Sequence, residues 1–325
     1  MIYIYKSDII FSNRGKEAKP IKVWFLCLFL CEGEVIKIED KYYKVWLSLI
    51  KNLGIKRYLC LIERFKSFKG IYNAKEYDLK EIAGIGGKIS SQLLDENIRI
   101  LAKRHLEYMI KNNIDIVSIY DIEYPNLLKE IYDPPINLYV RGDKKILSDF
   151  CLAIIGCREA TEYGRKVAQE FSYKLSKENV IIVSGLARGI DAMAHWGTVY
   201  AKGKTVAVLG NGLDSVYPKE NNHLAQMIIE SGGAIISEYP LGTRPDKMNF
   251  VARNRIISGL SRGVVIVEAK EKSGTLLTVD FALEQGRDIF VVPGNIDSAN
   301  SIGTNELIKQ GGRIITDYRD VLGEY

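Results

Sequence analysis

From residue 151 to the end of the chain, short apolar runs alternate with longer stretches whose apolar positions recur every three or four residues. The runs occupy residues 152–155, 180–183, 206–209, 234–236, 264–267, 289–292 and 314–315. The stretches of helical period between them cover residues 163–177, 190–201, 223–230, 276–285 and 305–309. Runs apolar at consecutive positions are strands buried on both faces, and their alternation with helices predicts a mostly parallel, doubly wound α/β sheet. Most of the runs end in small residues: Gly156, Ser184-Gly185, Gly210, Ser237 and Pro293-Gly294. Ligands of open α/β sheets bind beyond the carboxyl ends of strands, so this edge is the expected anion-binding edge. Tight turns between strand and helix also call for glycine, which accounts for part of the pattern.

The first half reads differently. Residues 42–68 and 89–111 are helical by period, and Ile82-Ala83-Gly84-Ile85-Gly86-Gly87-Lys88 between them has the form of a helix–hairpin–helix turn. Asn52-Leu53-Gly54-Ile55-Lys56 resembles a degenerate first copy. The same glycines also fit ordinary helix C-caps within a small bundle. Tyr124-Pro125 and Pro134-Pro135 break helical structure and read as a linker. The expected organisation is therefore a poorly defined extension over 1–38, an all-α domain over 39–115, a linker over 116–145, and a Rossmann-like domain over 146–325.

Composition narrows the class. The chain has 325 residues, 47% apolar and 26% charged, with a net charge of +5, values of ordinary globular protein. No apolar stretch reaches the roughly 18 residues needed to span a bilayer, so no membrane association is expected. The apolar run 23–31 follows Arg14, Lys16, Lys19 and Lys22, but Glu32-Gly33-Glu34 stands where a small-residue cleavage site would be, which argues against export. Five cysteines, an odd and sparse count without a CxxC pair, point to a reducing cytoplasm and away from a zinc site. Residues 1–150 hold 25 Lys and Arg against 20 Asp and Glu, whereas residues 151–325 hold 20 of each. Contact with nucleic acid through the second half must then rest on local clusters.

Two nucleotide signatures come close and fail. Gly210-Asn211-Gly212-Leu213-Asp214-Ser215 follows a strand, but Ser215 replaces the third glycine of the dinucleotide fingerprint. Gly197 and Gly203-Lys204-Thr205 are separated by one residue too many for a phosphate-binding loop and precede a strand. Ser184, Asp191 and His195 could be drawn as a hydrolase triad, yet Ser184 lacks a G-x-S-x-G elbow, and an Asp–His pair four apart on a helix is ordinarily structural. The richest stretch is residues 244–262, RPDKMNFVARNRIISGLSR. It carries Arg244, Lys247, Arg253, Arg255 and Arg262 against Asp246 alone, with Phe250 ahead of the predicted helix. Cations spaced like phosphates with an aromatic among them are the ingredients of a single-strand groove, although a solvated helix with a core phenylalanine would look similar. Arg158 adds a cation at the same sheet edge.

At these residues the chain resembles the DNA-processing protein A family (DprA, also called Smf). The matching strings are AIIGCREATEYG (153–164), VSGLARGIDAMAH (183–195), VAVLGNGLDSVYPKEN (206–221), SEYPLG (237–242), NFVARNRIISGLS (249–261), EAKEKSGTLLT (268–278) and EQGRDIFVVPG (284–294). The resemblance spans roughly residues 40–325 and implies an extended Rossmann-like fold preceded by a helical domain of sterile-alpha-motif or helix–hairpin–helix type. It implies a non-enzymatic recombination mediator, as in natural transformation, that binds and protects single-stranded DNA, loads a RecA-type recombinase and forms a homodimer. The missing phosphate-binding loop, the absent ligand clusters and the broken dinucleotide fingerprint lead to no expected cofactor or metal. Carried over by motif, Arg158 and Lys247 would bind phosphate and Phe250 would stack on a base. Asn249, Arg253, Asn254 and Arg255 fall in the family's most characteristic string, and Ser184, Gly185, Arg188, Ser273, Gly274 and Thr275 would line neighbouring loops. Cys157 departs from the family's usual serine, and no C-terminal winged-helix domain is read in the chain. The alternative is a nucleotide-binding or nucleotide-hydrolysing protein of phosphoribohydrolase type, of whose P-G-G-x-G-T-x-x-E motif only Ser273-Gly274-Thr275 is present.

Overall fold

Every apolar run singled out above becomes a strand within a residue or so of its expected ends. In the computed structural model, which describes residues 32–325 and their side chains from residue 38 onward, these are β3 (Cys151–Ile155), β4 (Ile181–Ser184), β5 (Thr205–Leu209), β6 (Ala234–Ser237), β7 (Gly263–Ile266), β8 (Asp288–Val291) and β9 (Arg313–Ile314). Residues 1–31 of the expected extension lie outside the described residues. The seven strands are parallel throughout. Along β3, Cys151, Ala153 and Ile155 join one apolar cluster while Leu152 and Ile154 join the other, so the sheet is buried on both faces, as consecutive apolar runs require. The Glu162–Lys177 helix covers one face through Ala168, Phe171 and Leu175. The Lys247–Leu260 and Gly274–Glu284 helices cover the other through Ile256, Ile257, Leu260, Val279 and Ala282.

The stretch expected as a linker is corrected by the structure. Residues 116–145 carry most of β1 (Ile114–Ser118) and all of β2 (Asn137–Gly142), which extend the sheet to nine strands in the order β1-β2-β6-β5-β4-β3-β7-β8-β9 among the described residues. Both pairings, β1 with β2 and β2 with β6, are antiparallel. The prolines lie in the connection between the two strands, where Tyr124 donates its hydroxyl to the Pro135 carbonyl at 2.6 Å. They shape a loop and leave the ladder intact.

The helical region is built as expected, from helices over Glu32–Ser48, Gly54–Phe65, Phe68–Tyr72, Glu76–Lys80, Gly87–Leu94 and Glu96–Lys111. Both turns carry residues of positive φ, Asn52 and Gly54 in one and Gly84 in the other. Arg57 joins them, donating to the Gly84 carbonyl from Nε and to the Asn52 carbonyl from Nη1, both at 2.8 Å. This region is bonded to the antiparallel edge of the sheet. Lys44 reaches Asp121 at 2.8 Å, and the Tyr58 and Ser118 hydroxyls lie 3.0 Å apart. Residues 40–325 accordingly form one unit with a continuous core that runs from Trp46 and Tyr58 to Tyr139 and onto the sheet.

Candidate nucleic-acid interface

Strand order fixes where a ligand can enter. The chain proceeds from β3 outward through β4, β5 and β6, then returns to place β7 on the other side of β3. Connections therefore leave the carboxyl ends of β3 and β7 in opposite directions, and a crevice opens between them. It is a cavity of about 990 Å³ lined by Gly156, Cys157, Arg158 and Glu159 after β3, and by Lys270, Lys272 and Ser273 after β7. Lys247, Phe250 and Asn254 from one helix, Gly274 and Thr275 from another, and Tyr217 complete the wall.

The loops around this cavity are held from below. Glu268, buried just after β7, accepts from the backbone N–H of Thr161 at 3.0 Å, from the Thr161 hydroxyl, and from Asn300 Nδ2 at 3.3 Å. Asn300 also donates to the Glu159 carbonyl at 2.7 Å, and Lys270 pairs with Glu159 at 2.8 Å. The loop carrying Arg158 is thus tied to the loop after β7 on both flanks. Gly189, at φ +73°, lets the loop after β4 pass directly against the carbonyls of Cys157 and Arg158, where a side chain would collide. Cys157 itself is buried, and burial pushes its thiol up, so it is a packing residue in a reduced form.

Above these supports stand exposed cations and aromatics. Arg158, Lys247 and Lys272 are exposed, and none forms an ion pair with a described residue. The Gly274–Glu284 helix begins at the cavity wall with Ser273 as its cap, the hydroxyl accepting from the Thr275 N–H at 3.1 Å, so its positive end adds to the field. Phe250 lies inside the first turn of the Lys247–Leu260 helix, which Asp246 caps, and does not precede the helix as expected. Its ring is already well occupied. Tyr217 stacks on it with centroids 5.5 Å apart at 25°, the Arg158 guanidinium lies 5.7 Å from its centroid, and Gly210 fits against it so closely that a Cβ there would come within 2.7 Å. Neither Tyr217 nor Lys272 stood out in the sequence. Lys272 borders Ser273 on the loop after β7, and that adjacency was the available signal; nothing in the sequence marked Tyr217 as surface rather than core.

Other expected site residues lie at the floor of the cavity, as Arg253 does, or beside it. Arg253 is 4% exposed; its guanidinium donates to the Gly185 carbonyl at 2.7 Å and to the Val208 carbonyl. Burial pushes its pKa down to about 10, against the pull of Asp191, so it stays charged near neutral pH. Its position binds the ends of β4 and β5 from beneath. Arg255 forms a bidentate pair with Glu238 at 2.7 Å and donates to the Asp133 carbonyl at 2.9 Å, which ties the helix to the β1–β2 connection. Arg188 pairs with Glu220 at 2.7 Å on the neighbouring loop, and Asn249 is half-buried outside the cavity.

The Ser184 hydroxyl lies beside the Asp191 carboxyl, whereas His195 is bonded elsewhere. The Ser184 hydroxyl donates to the Ile154 carbonyl at 2.7 Å, and Asp191 accepts from the Gly185 N–H at 3.1 Å. Burial pushes the Asp191 carboxyl up, with Arg253 opposing. His195 Nδ1 lies 2.7 Å from Thr205 Oγ1, whose own proton goes to the Ile182 carbonyl at 2.6 Å. The imidazole must then donate from Nδ1. Burial pushes its pKa down to about 3, so it is neutral at physiological pH. A hydrolase relay would need the imidazole bonded to both the hydroxyl and the carboxyl, and it is bonded to neither.

Residues 115–325 match the model of the DNA recombination-mediator protein A family. The chain belongs to this family. That span opens at β1, which agrees with the antiparallel edge being part of the same sheet. The DNA processing protein DprA of Streptococcus pneumoniae is 40% identical over 251 residues, 77% of this chain and 88% of that protein. The X-ray structure of that protein superposes with a TM-score of 0.72 at 35% identity, covering 91% of this chain and 98% of the other. DNA processing protein A from Helicobacter pylori, a protein with a single-stranded DNA binding mode, superposes at 0.59 with 33% identity over 65% of this chain and 97% of the other.

Among the described residues there is no group of three or more His, Cys, Asp or Glu side chains able to hold a metal ion, and no helix is long and apolar enough to cross a membrane.

Proposed function

We propose that this chain is a single-stranded DNA-binding recombination mediator that acts without catalysis. The observation that carries the reading is the juxtaposition of three cations without acidic partners, Arg158, Lys247 and Lys272, with stacked aromatic rings at the topological switch point of the sheet. The cations release counterions from successive phosphates, while rings accept bases of any sequence. Because only the backbone and the π-face are read, binding is sequence-tolerant and salt-sensitive. The bonding of His195 to Thr205, and to neither Ser184 nor Asp191, favours this role over nucleotide hydrolysis.

The biological role follows the family: protection of incoming or exposed single strands in the cytoplasm and delivery of a RecA-type recombinase to them, by a homodimer formed through the Rossmann-like domain. A dimer presents two cavities, so long strands bind with avidity beyond one site. Mobility-shift titration with single- and double-stranded oligonucleotides across a salt series tests the reading. Preference for the single strand, with log affinity falling linearly in log salt, is the expected result. Equal affinity for both forms, or no salt dependence, overturns it.

A further inference from the structure

The Phe250 ring, the expected stacking residue, has Tyr217 on it at 5.5 Å, the Arg158 guanidinium at 5.7 Å and the end of β5 against its edge. A base that stacked on Phe250 would first have to displace one of them. Tyr217 is the reverse case. It is 48% exposed, its single ring contact among the described residues is Phe250, and its hydroxyl bonds to no described residue. An aromatic that served only the core would be covered, and Tyr217 leaves about half of its surface in water at the mouth of a cation-lined cavity.

The segment that carries Tyr217 is fastened on both sides. The fully buried Asn211 donates from Nδ2 to the carbonyls of Gly212 at 3.0 Å and Ser215 at 2.8 Å. The buried Asn221 donates to the Leu186 carbonyl at 2.9 Å. Two buried amides thus hold the loop before and after Tyr217 to the ends of β5 and β4. The ring is an ordered apolar surface presented to solvent, with the ordering entropy lost at folding and not at binding.

We infer that Tyr217 is a nucleobase platform: the outer ring of a Tyr217–Phe250 stack, on whose free face one base of a single strand lies while Arg158 and Lys247 hold the adjoining phosphates. Phe250 is then the backing of the platform. This inference rests on the single-strand reading above and adds a residue to it.

The test compares oligo-dT with an abasic oligonucleotide of the same length, on wild type and on Tyr217→Ala, Tyr217→Phe and Tyr217→Leu. Tyr217→Ala and Tyr217→Leu are expected to weaken oligo-dT binding on the order of 5- to 150-fold, the range of one lost base–ring stack. Both should leave abasic binding and the salt slope unchanged, and Tyr217→Phe should behave as wild type. Equal weakening on both oligonucleotides would make Tyr217 a support of the loop and overturn the platform. Wild-type affinity of Tyr217→Ala for oligo-dT would overturn it too. Should wild type itself fail to bind oligo-dT, the single-strand reading fails, and the platform with it.

Discussion

Replacing Arg253 with methionine distinguishes a residue that touches DNA from one that builds the surface DNA would touch. The side chain is 4% exposed, holds the Gly185 and Val208 carbonyls, and is the positive neighbour of Asp191, which is itself buried. Methionine fills a similar volume but leaves two carbonyls without a donor and a buried carboxyl without its counter-charge. Hydrogen bonds to a charged group are worth about 1.5–3 kcal/mol each, so losing both costs about 3–6 kcal/mol. At roughly 2–4 °C per kcal/mol, the melting temperature should fall by about 6–24 °C. Adding Asp191→Asn should restore part of that loss, because the uncompensated charge disappears, with a coupling of about 0.5–3 kcal/mol. Differential scanning calorimetry on wild type, both single variants and the double variant gives the cycle. Salt-dependent binding measured below the lowered melting point supplies the second axis. A phosphate ligand would lower the salt slope by about 0.7 per contact on a single strand and leave melting alone. An Arg253→Met protein that melts as wild type does but loses that increment of slope refutes the buried-strut argument.

The surface cations should behave in the opposite way. Arg158→Ala, Lys247→Ala and Lys272→Ala should each lower the salt slope by about 0.7 and shift stability by less than about 0.5 kcal/mol; an unchanged slope removes that residue from the groove. Phe250→Ala should cost roughly 2 kcal/mol of stability, about half the value of a fully buried phenylalanine, since only part of its ring is covered; thermal melting checks this. His195 gives a pH prediction. Its folded pKa is about 3, below the ordinary value near 6.5, so between those values the unfolded chain binds more protons at this site. Stability should therefore fall as pH falls through that window, and His195→Gln should flatten the melting temperature against pH between about 6.5 and 4. An equally steep profile in the variant would show that other groups set the acid limit.

The parallel strands were legible because a strand buried on both faces writes an unbroken apolar run, and Leu152, Ile154, Ile182 and Val265 confirm the second covered face. β1 and β2 were not, for two reasons. Ile114–Ser118 contains Asp115 and Asn137–Gly142 ends in exposed Arg141 and Gly142, so neither is a clean run. The partner that joins them to the parallel strands is also distant in sequence: β2 pairs with β6 from Tyr139 with Ser237 to Gly142 with Ala234, and no local pattern marks such a register. Prolines on either side of a connection look the same whether they separate two domains or turn a hairpin. The pairing of Lys44 with Asp121 across 77 residues, which fastens the helical region to that edge, is invisible to periodicity for the same reason.

The site was legible as a place before it was legible as an arrangement. The alternation of strands with helices and the small residues after each run pointed to the edge where the cavity opens, and the run of cations over residues 244–262 pointed to a helix that lines it. What failed was treating those cations as one groove, and the cause was the assumed helix start. With Phe250 placed ahead of the helix, no helical phase could be assigned to Lys247. Starting the helix at Lys247 instead, as the Asp246 cap dictates, puts Lys247, Phe250, Val251 and Asn254 on one side by three- and four-residue spacing, and these line the cavity. The same phase puts Arg253 with Ile256, Ile257 and Leu260 on the buried side, so that it reaches the cavity only at its floor, where it meets the strand ends, and turns Arg255 away from the cavity to Glu238. Charge composition cannot separate the three arginine and lysine roles, but helical phase can. One residue at the N-cap decides it: an Asp246→Ala change would remove the acceptor of the Met248 N–H and cost about 1 kcal/mol, and by fraying the first turn it should weaken single-strand binding through Lys247 and Phe250 while leaving Arg253 and the strand ends in place.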